Sequence, residues 1–401
     1  MVRQGCDAID MLSANVQLAA TGTVVIMALA AWSMIWLLQP VAHRFGLLDH
    51  PKGRKDHAAP TPVTGGLGIA LAMLAVFALA PTMALTTGKL AYILGGGLLL
   101  LVGLLDDRYD LRWWWRILAQ VTAALVMVYL GGVRVEQLGP VFGLGDLSLG
   151  YLSMPFTVFA TVGLINAINM IDGVDGLSGS LVAAALLMLA AAAWYAGNEG
   201  VAFVALAILG ATLGFLMHNF PLPGRPRARV FLGNAGSAFM GFSIAWIVFR
   251  LTQNPGHPVN PVLALWLIPI PVLDCLVLIV RRLRHGRSPF SADRNHIHHL
   301  MRDGGFTTVQ LVLTLAGFSL LSGLAVGQAM RLDVPHPVLL GLFVLALAGW
   351  CLLTLRRGRA CAFFAWLHRW MFQPWIPAPV PPAVAEPDDD DDEPSFEGRQ
   401  G

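Results

Sequence analysis

Residues 90–110 read LAYILGGGLLLLVGLLDDRYD. Leu90–Leu105 is an uncharged run that ends against Asp106, Asp107, Arg108 and Asp110. A helix crossing a hydrocarbon core takes about 20 apolar residues, with a range of roughly 17–25, so this run predicts a membrane span that borrows a few loop residues. Its acidic end is less ordinary. Three carboxylates follow a helix C-terminus, where the macrodipole disfavours negative charge.

Working outward, ten further apolar stretches predict spans near Leu18–Leu38, Gly66–Leu85, Trp113–Leu130, Met154–Ile168, Leu181–Ala196, Val201–Met217, Ala235–Phe249, Pro261–Val280, Thr308–Met330 and Val338–Leu355. Composition agrees. The 401 residues are 56% hydrophobic and 12% charged, with a mean hydropathy of +0.66. Soluble globules carry roughly 25% charge. A soluble enzyme and a disordered chain are therefore excluded. Cys6, Cys275, Cys351 and Cys361 have no metal-type spacing and form no disulfide scaffold. The expected fold is all-α, a polytopic integral membrane protein of about 11 transmembrane helices. The first stretch follows Asp7 and Asp10 rather than a basic segment, and its apolar run is too long for a cleaved signal.

With the N-terminus placed outside, Lys and Arg divide 21 to 5 between inner and outer segments. The positive-inside rule then sets the N-terminus outside and the C-terminus in the cytoplasm. Residues 1–17 are expected as an extracytoplasmic segment and 18–355 as the membrane domain. Residues 356–375, with Phe363, Phe364, Trp366, Trp370 and Arg369, predict an amphipathic helix on the inner surface. Residues 376–401 predict a Pro-rich linker and an acidic tail. The last 16 residues hold 8 acids and Arg399, so the formal net charge of +2 hides a basic membrane domain. Trp113, Trp114 and Trp115 suit an interfacial belt.

The acids and histidines gather in the inner loops rather than at mid-span, which argues against a transporter. Asp106 and Asp110 are four apart and share a helix face. Adjacent Asp106 and Asp107 suit either Mg²⁺ binding or one metal ligand beside one base; the structural alternative is a solvated helix end paired with Arg108. Asn166, Asn169, Asp172 and Asp175 recur every three residues, with Gly173 and Gly176 allowing close approach. They call for metal, phosphate or a base, or else form an asparagine-rich cap. Gly233-Asn234-Ala235-Gly236-Ser237 opens a helix and suits a phosphate, though a plain helix start looks the same. Arg281, Arg282, Arg284, Arg287, Arg294 and Arg302 suit a polyanion or simply obey positive-inside. His296, His298 and His299 read better as donors to a diphosphate than as a metal site. Arg54, Lys55 and His57 precede a glycine turn at Gly65-Gly66. Asp274 lies inside the ninth span, where a carboxylate demands a partner that the sequence leaves unnamed.

DxPxxRKxH before PxxGG, then LLDDR, NAINMIDGVDGL, FLGNAGS and ADRNHIHHL, occur in this order across about residues 40–355. This combination resembles the polyprenyl-phosphate N-acetylhexosamine-1-phosphate transferases of glycosyltransferase family 4. The His-Ile-His-His form looks like the branch acting on UDP-GlcNAc and undecaprenyl phosphate, which starts O-antigen or related synthesis, more than the phospho-MurNAc-pentapeptide branch. The resemblance implies an inner-membrane enzyme facing the cytoplasm, with UDP-N-acetylhexosamine, undecaprenyl phosphate and the bilayer as partners and no nucleic acid; a homodimer is compatible. It implies Mg²⁺, with Mn²⁺ as a substitute, on Asp107, Asn169 and Asn234. Asp106, Asp107, Asp172, His296, His298 and His299 would be catalytic. Arg54, Lys55, His57, Asn166, Asp175, Arg281, Arg282 and Arg294 would bind substrate. One departure stands out: the family carries Asp where this chain has Asn234. A catalytically silent or lipid-transporting homologue is the rival reading.

Overall fold

Helix follows apolar run along the described residues. The structure, a computed structural model, describes residues 2–50, 60–79, 86–253, 259, 261–288 and 294–372. The helices are α1 (Val2–Phe45), α2 (Gly65–Leu79), α3 (Thr87–Tyr109), α4 (Trp113–Tyr129), α5 (Ser153–Ile171), α6 (Leu177–Tyr195), α7 (Glu199–Asn219), α8 (Gly233–Thr252), α9 (Pro261–Leu267), α10 (Pro269–Arg284), α11 (Ile297–Asp303), α12 (Thr308–Arg331), α13 (His336–Thr354) and α14 (Arg357–Phe372). The described residues of all eleven expected stretches are helical apart from end residues and Ile268; residues 80–85 of the second lie outside the described residues. Among the described residues, eight helices, α1, α3, α5–α8, α12 and α13, are long and apolar enough to cross a membrane. The protein is an all-α polytopic membrane protein.

Three details differ from the sequence reading. Helix α1 extends from Val2 and absorbs the segment expected to precede it. The ninth stretch is broken: α9 and α10 meet at 95° around Ile268. Pro269 and Pro271 explain the break, because proline lacks the N–H and crowds the preceding turn. A two-stranded ribbon, β1 (Leu48–Asp49) with β2 (Thr61–Pro62), adds the first strands to a fold expected to be wholly helical.

Helix α8 is the centre. Of its apolar 18-residue core, 89% is buried in protein, against 17% for α1 and α13. It packs on α3, α5 and α2. Gly66 and Gly236 bring α2 and α8 together backbone to backbone, since a Cβ on Gly66 would lie 2.0 Å from the Gly236 Cα. The chain before α2 pairs with the chain before α8: Phe231 N–H donates to Pro62 O at 2.8 Å, and Gly65 N–H to Phe231 O at 3.0 Å. These contacts fix the start of α8 against α2 and the end of α3.

Candidate active site

Asp107 ends α3 and caps α8. Its Oδ1 accepts the Asn234 N–H at 2.9 Å and its Oδ2 the Ala235 N–H at 3.3 Å. Gly233 makes the turn at φ +77°, where a Cβ would meet Asp107 Oδ2 at 2.7 Å. The expected phosphate cradle at the start of α8 is therefore filled by a protein carboxylate. Sequence could place an anion there but not say which one. Asp106 is buried; it accepts from Leu111 N–H at 2.9 Å and from Arg116 Nη1 at 3.4 Å. Asp110 takes a left-handed cap conformation, φ 52°, and is exposed, so it leaves the shared helix face that its spacing predicts. Arg108 donates to Phe45 O at 3.1 Å and lies over the Tyr109 ring.

At the end of α5, Asn166 Nδ2 donates to Gln120 Oε1 at 2.7 Å and to Val162 O at 2.8 Å. Asn169 Nδ2 donates to Asn234 Oδ1 at 3.0 Å and to Ser237 Oγ at 2.8 Å. Asp172 accepts from Ser178 Oγ at 2.5 Å. Burial pushes its carboxyl up to about 6, the charge of Asp175 adds to the rise, and the Ser178 hydrogen bond opposes it. Asp175 Oδ2 accepts the Ala228 N–H at 2.9 Å and staples the loop before α8.

The histidine motif forms the first turn of α11. His298 packs on the fifth-span motif, since a Cβ on Gly173 would lie 3.0 Å from its Nε2. Burial first, then the neighbouring His296 and His299 charges, hold His298 well below the ordinary histidine range. Burial and His296 also lower His299. The run is thus not a uniform cluster of cations. Asp274, 3% exposed, gives its Oδ2 to His296 Nδ1 at 2.9 Å and its Oδ1 to the Ile297 N–H at 3.0 Å. This is the partner that the sequence left unnamed. Arg281 and Arg282 part company. Arg281 Nη1 donates to Thr354 O at 2.9 Å in a separate small recess with Arg284 and His285, because adjacent residues project about 100° apart on a helix. Arg294 is exposed, and its carbonyl accepts from Arg357 Nη1 at 2.7 Å. Arg357 also binds the Asp303 carboxylate, so α14 braces the histidine helix at both ends.

One cavity of about 250 Å³ joins these parts. Leu99, Val102, Ile117, Ile165 and Ala238 form apolar walls; Arg116, Gln120, Asn166, Asn169, Asn234, Arg282 and His296 form the polar part. Arg116 and Gln120 are site residues that the motifs do not include. A lone Gln within an apolar span was the available signal for Gln120; Arg116 was hidden by the positive-inside count. Arg54, Lys55, His57 and the acidic tail lie outside the described residues.

Among the described residues, no three His, Cys, Asp or Glu side chains converge as a metal cage. The carboxylates of Asp107 and Asp172 are close enough for their charges to oppose one another, and the side-chain amides of Asn169 and Asn234 meet each other at 3.0 Å. Few carboxylates and only oxygen ligands fit a hard cation such as Mg²⁺, which keeps waters and substrate phosphates in its shell.

The fold and cavity define an integral membrane protein whose cationic, amide-rich site opens beside apolar walls. Residues 89–252 match the family described as glycosyl transferase family 4. Over 326 residues the chain is 37% identical to the undecaprenyl-phosphate alpha-N-acetylglucosaminyl 1-phosphate transferase of Salmonella typhi, covering 79% of this chain and 87% of that relative. The Escherichia coli (strain K12) protein of that name is 36% identical with the same coverage. That of Haemophilus influenzae is 38% identical over 289 residues, 72% of this chain and 80% of its own. The chain belongs to glycosyl transferase family 4, on the branch of these transferases.

Proposed function

We propose that the protein transfers N-acetylglucosamine 1-phosphate from UDP-GlcNAc to undecaprenyl phosphate, releasing UMP and starting a cell-surface polysaccharide such as O-antigen. The observation that carries this reading is a cavity in which motifs from α4, α5, α8 and α10–α11 meet, lined by apolar side chains together with Arg116 and Arg282. A lipid tail and an anionic headgroup need both kinds of lining.

An oxygen of the lipid phosphate attacks the β-phosphorus of UDP-GlcNAc. The bond from that phosphorus to the bridging oxygen breaks, UMP leaves with the oxygen, and the sugar–oxygen bond stays intact. Charge neutralisation dominates such a transfer between anions. Arg116, Arg282 and His296 would hold phosphate oxygens. Asp106 positions Arg116. Asp107 fixes the start of α8, so that Asn234 and Asn169 address the cavity together. Mg²⁺, or Mn²⁺ in its place, held by Asp107, Asn169, Asn234 and Asp172, would supply further charge neutralisation to the diphosphate.

The full reading has eleven crossings, counting short α2 and α4 and the broken α9–α10 pair. It places the protein in the bacterial inner membrane with the N-terminus outside, and the C-terminus and active site on the cytoplasmic side. The 21 to 5 charge division supports this. The purified protein with labelled UDP-GlcNAc, undecaprenyl phosphate and Mg²⁺ should yield UMP and a lipid-linked sugar. Absence of both products, with folded protein, rejects the reading in favour of a silent homologue, which Asn234 would mark. Cysteines introduced at the Asp106, Asp172, Asn234 or His298 loops should resist an impermeant reagent added outside intact cells; labelling of any of them overturns the orientation.

A further inference from the structure

Asp274 is a charge set inside a broken membrane helix, in α10 just after the 95° bend. A carboxylate there is costly unless its oxygens are fully used. Both are used, on two kinds of partner. Oδ1 accepts the Ile297 N–H at 3.0 Å and Oδ2 meets His296 Nδ1 at 2.9 Å. The helix start needs only one acceptor, and a neutral amide oxygen would serve it equally well. The second oxygen acts on the ring. A carboxylate accepts and cannot donate, so the hydrogen lies on Nδ1, and Nε2 is left as the polar atom of a ring that lines the cavity.

We infer that Asp274 is a positioning residue for the transfer reaction: it holds His296 in one orientation through Nδ1–H, so that the Nε2–H of the ring cation donates to a phosphate oxygen of the bound substrates. This rests on the proposed function above. The ring has little freedom of its own, since it is 8% exposed and stacks on His298 with centroids 5.3 Å apart. With hydrogens on both nitrogens, Nε2–H donating a hydrogen bond to a phosphate oxygen, the ring is a cation whose countercharge is in place on Asp274. A second carboxylate is not needed in the cavity, where it would repel the substrates. The arrangement parallels the outer-shell carboxylates that orient histidines at metal sites, whose loss typically costs about 10–100-fold in activity.

The test separates this role from simple helix capping. Asp274→Asn keeps an oxygen for the Ile297 N–H and removes the second acceptor. It should lower kcat by about 10–100-fold, with the KM for UDP-GlcNAc changed less than about threefold and an almost unchanged melting temperature. His296→Gln should give a similar loss, and the double variant should be no slower than His296→Gln alone, because both act through one ring. Asp274→Glu should recover part of the rate. Multiplying losses in the double variant, or a near-normal rate in Asp274→Asn, overturns the inference. A second measurement is independent of turnover. In ¹⁵N-histidine spectra, the signal missing from His296→Gln should show Nδ1 protonated in the parent and lose that signature in Asp274→Asn. An unchanged signal rejects the positioning role, even if the parent makes no UMP. A parent that makes no UMP while the signature behaves as expected rejects the proposed function but leaves the Asp274–His296 tie in place.

Discussion

Asp107 and Asp274 each reach from one helix to the first turn of another, and they spend their oxygens differently. Asp107 gives both to consecutive backbone N–H groups of α8. Asp274 gives one to the backbone of α11 and one to a side chain. The first arrangement joins two helices and leaves Asn234 to face the cavity from a fixed backbone. The second passes orientation on to an imidazole. A carboxylate at a helix start therefore has two separable roles, framing the site and aiming a group within it, and variants can tell them apart.

The framing role should be the harder one to lose. Asp107→Ala leaves two N–H groups of α8 uncapped, a cost of about 1–2 kcal/mol, and removes site charge. Turnover should fall on the order of 10²-fold or more, with a lower melting temperature. Asp106→Asn and Asp172→Asn should match the loss of turnover. Near-normal rates in all three at equal expression would break the comparison at its root. Asp274→Asn, in contrast, should lose rate without losing heat stability.

Asp172 sharpens the contrast through pH. The unfolded chain releases its proton near 3.8, while burial holds it to about 6 in the folded protein. Between these values the folded state binds more protons, so stability falls as pH rises from about 4 to 6 and levels off above. In metal-free buffer, Asp172→Asn should remove this slope and melt a few degrees above the parent at pH 7. Parallel melting curves at pH 4.5 and pH 7 would show that Asp172 is not held protonated by the fold.

Asn234 tests what Asp107 frames. Asn234→Asp should lower the Mg²⁺ concentration for half-maximal rate several-fold, and Asn234→Ala should raise it or abolish activity. A merely capping side chain predicts the same titration curve for all three proteins. The smallest effect belongs to the tail: truncation after Pro387 should leave the rate within about twofold, since acids beside anionic substrates help bind neither. A large loss in protein that still inserts would give the tail a role.

Much of this was legible in the sequence. Among the described residues, each apolar stretch holds helix, the ninth in two pieces, because length and apolarity decide membrane helices almost alone. Among the described residues, Asn166, Asn169, Asn234, Arg282 and His296 of these motifs line one cavity, because polar groups at the ends of apolar helices have few other places to go. Phase and pairing were not legible. Arg281 and Arg282 are adjacent in sequence, yet only Arg282 lines the cavity. Nothing in composition tells one side of α10 from the other. Asp274 and His296 are joined across a bend whose angle no spacing rule supplies. The glycine turn at Gly233 signalled an anion correctly, but the anion came from α3.

The enclosure of α8 bears on how the protein is made. It is the least apolar of the eight long helices, with Asn234, Ser237 and Ser243 along it. A segment of that kind gains less from lipid than the other seven do. Its main packing partners, α2, α3 and α5, all precede it in the chain. The helix that carries Asn234 is therefore synthesised after the helices that enclose it most closely.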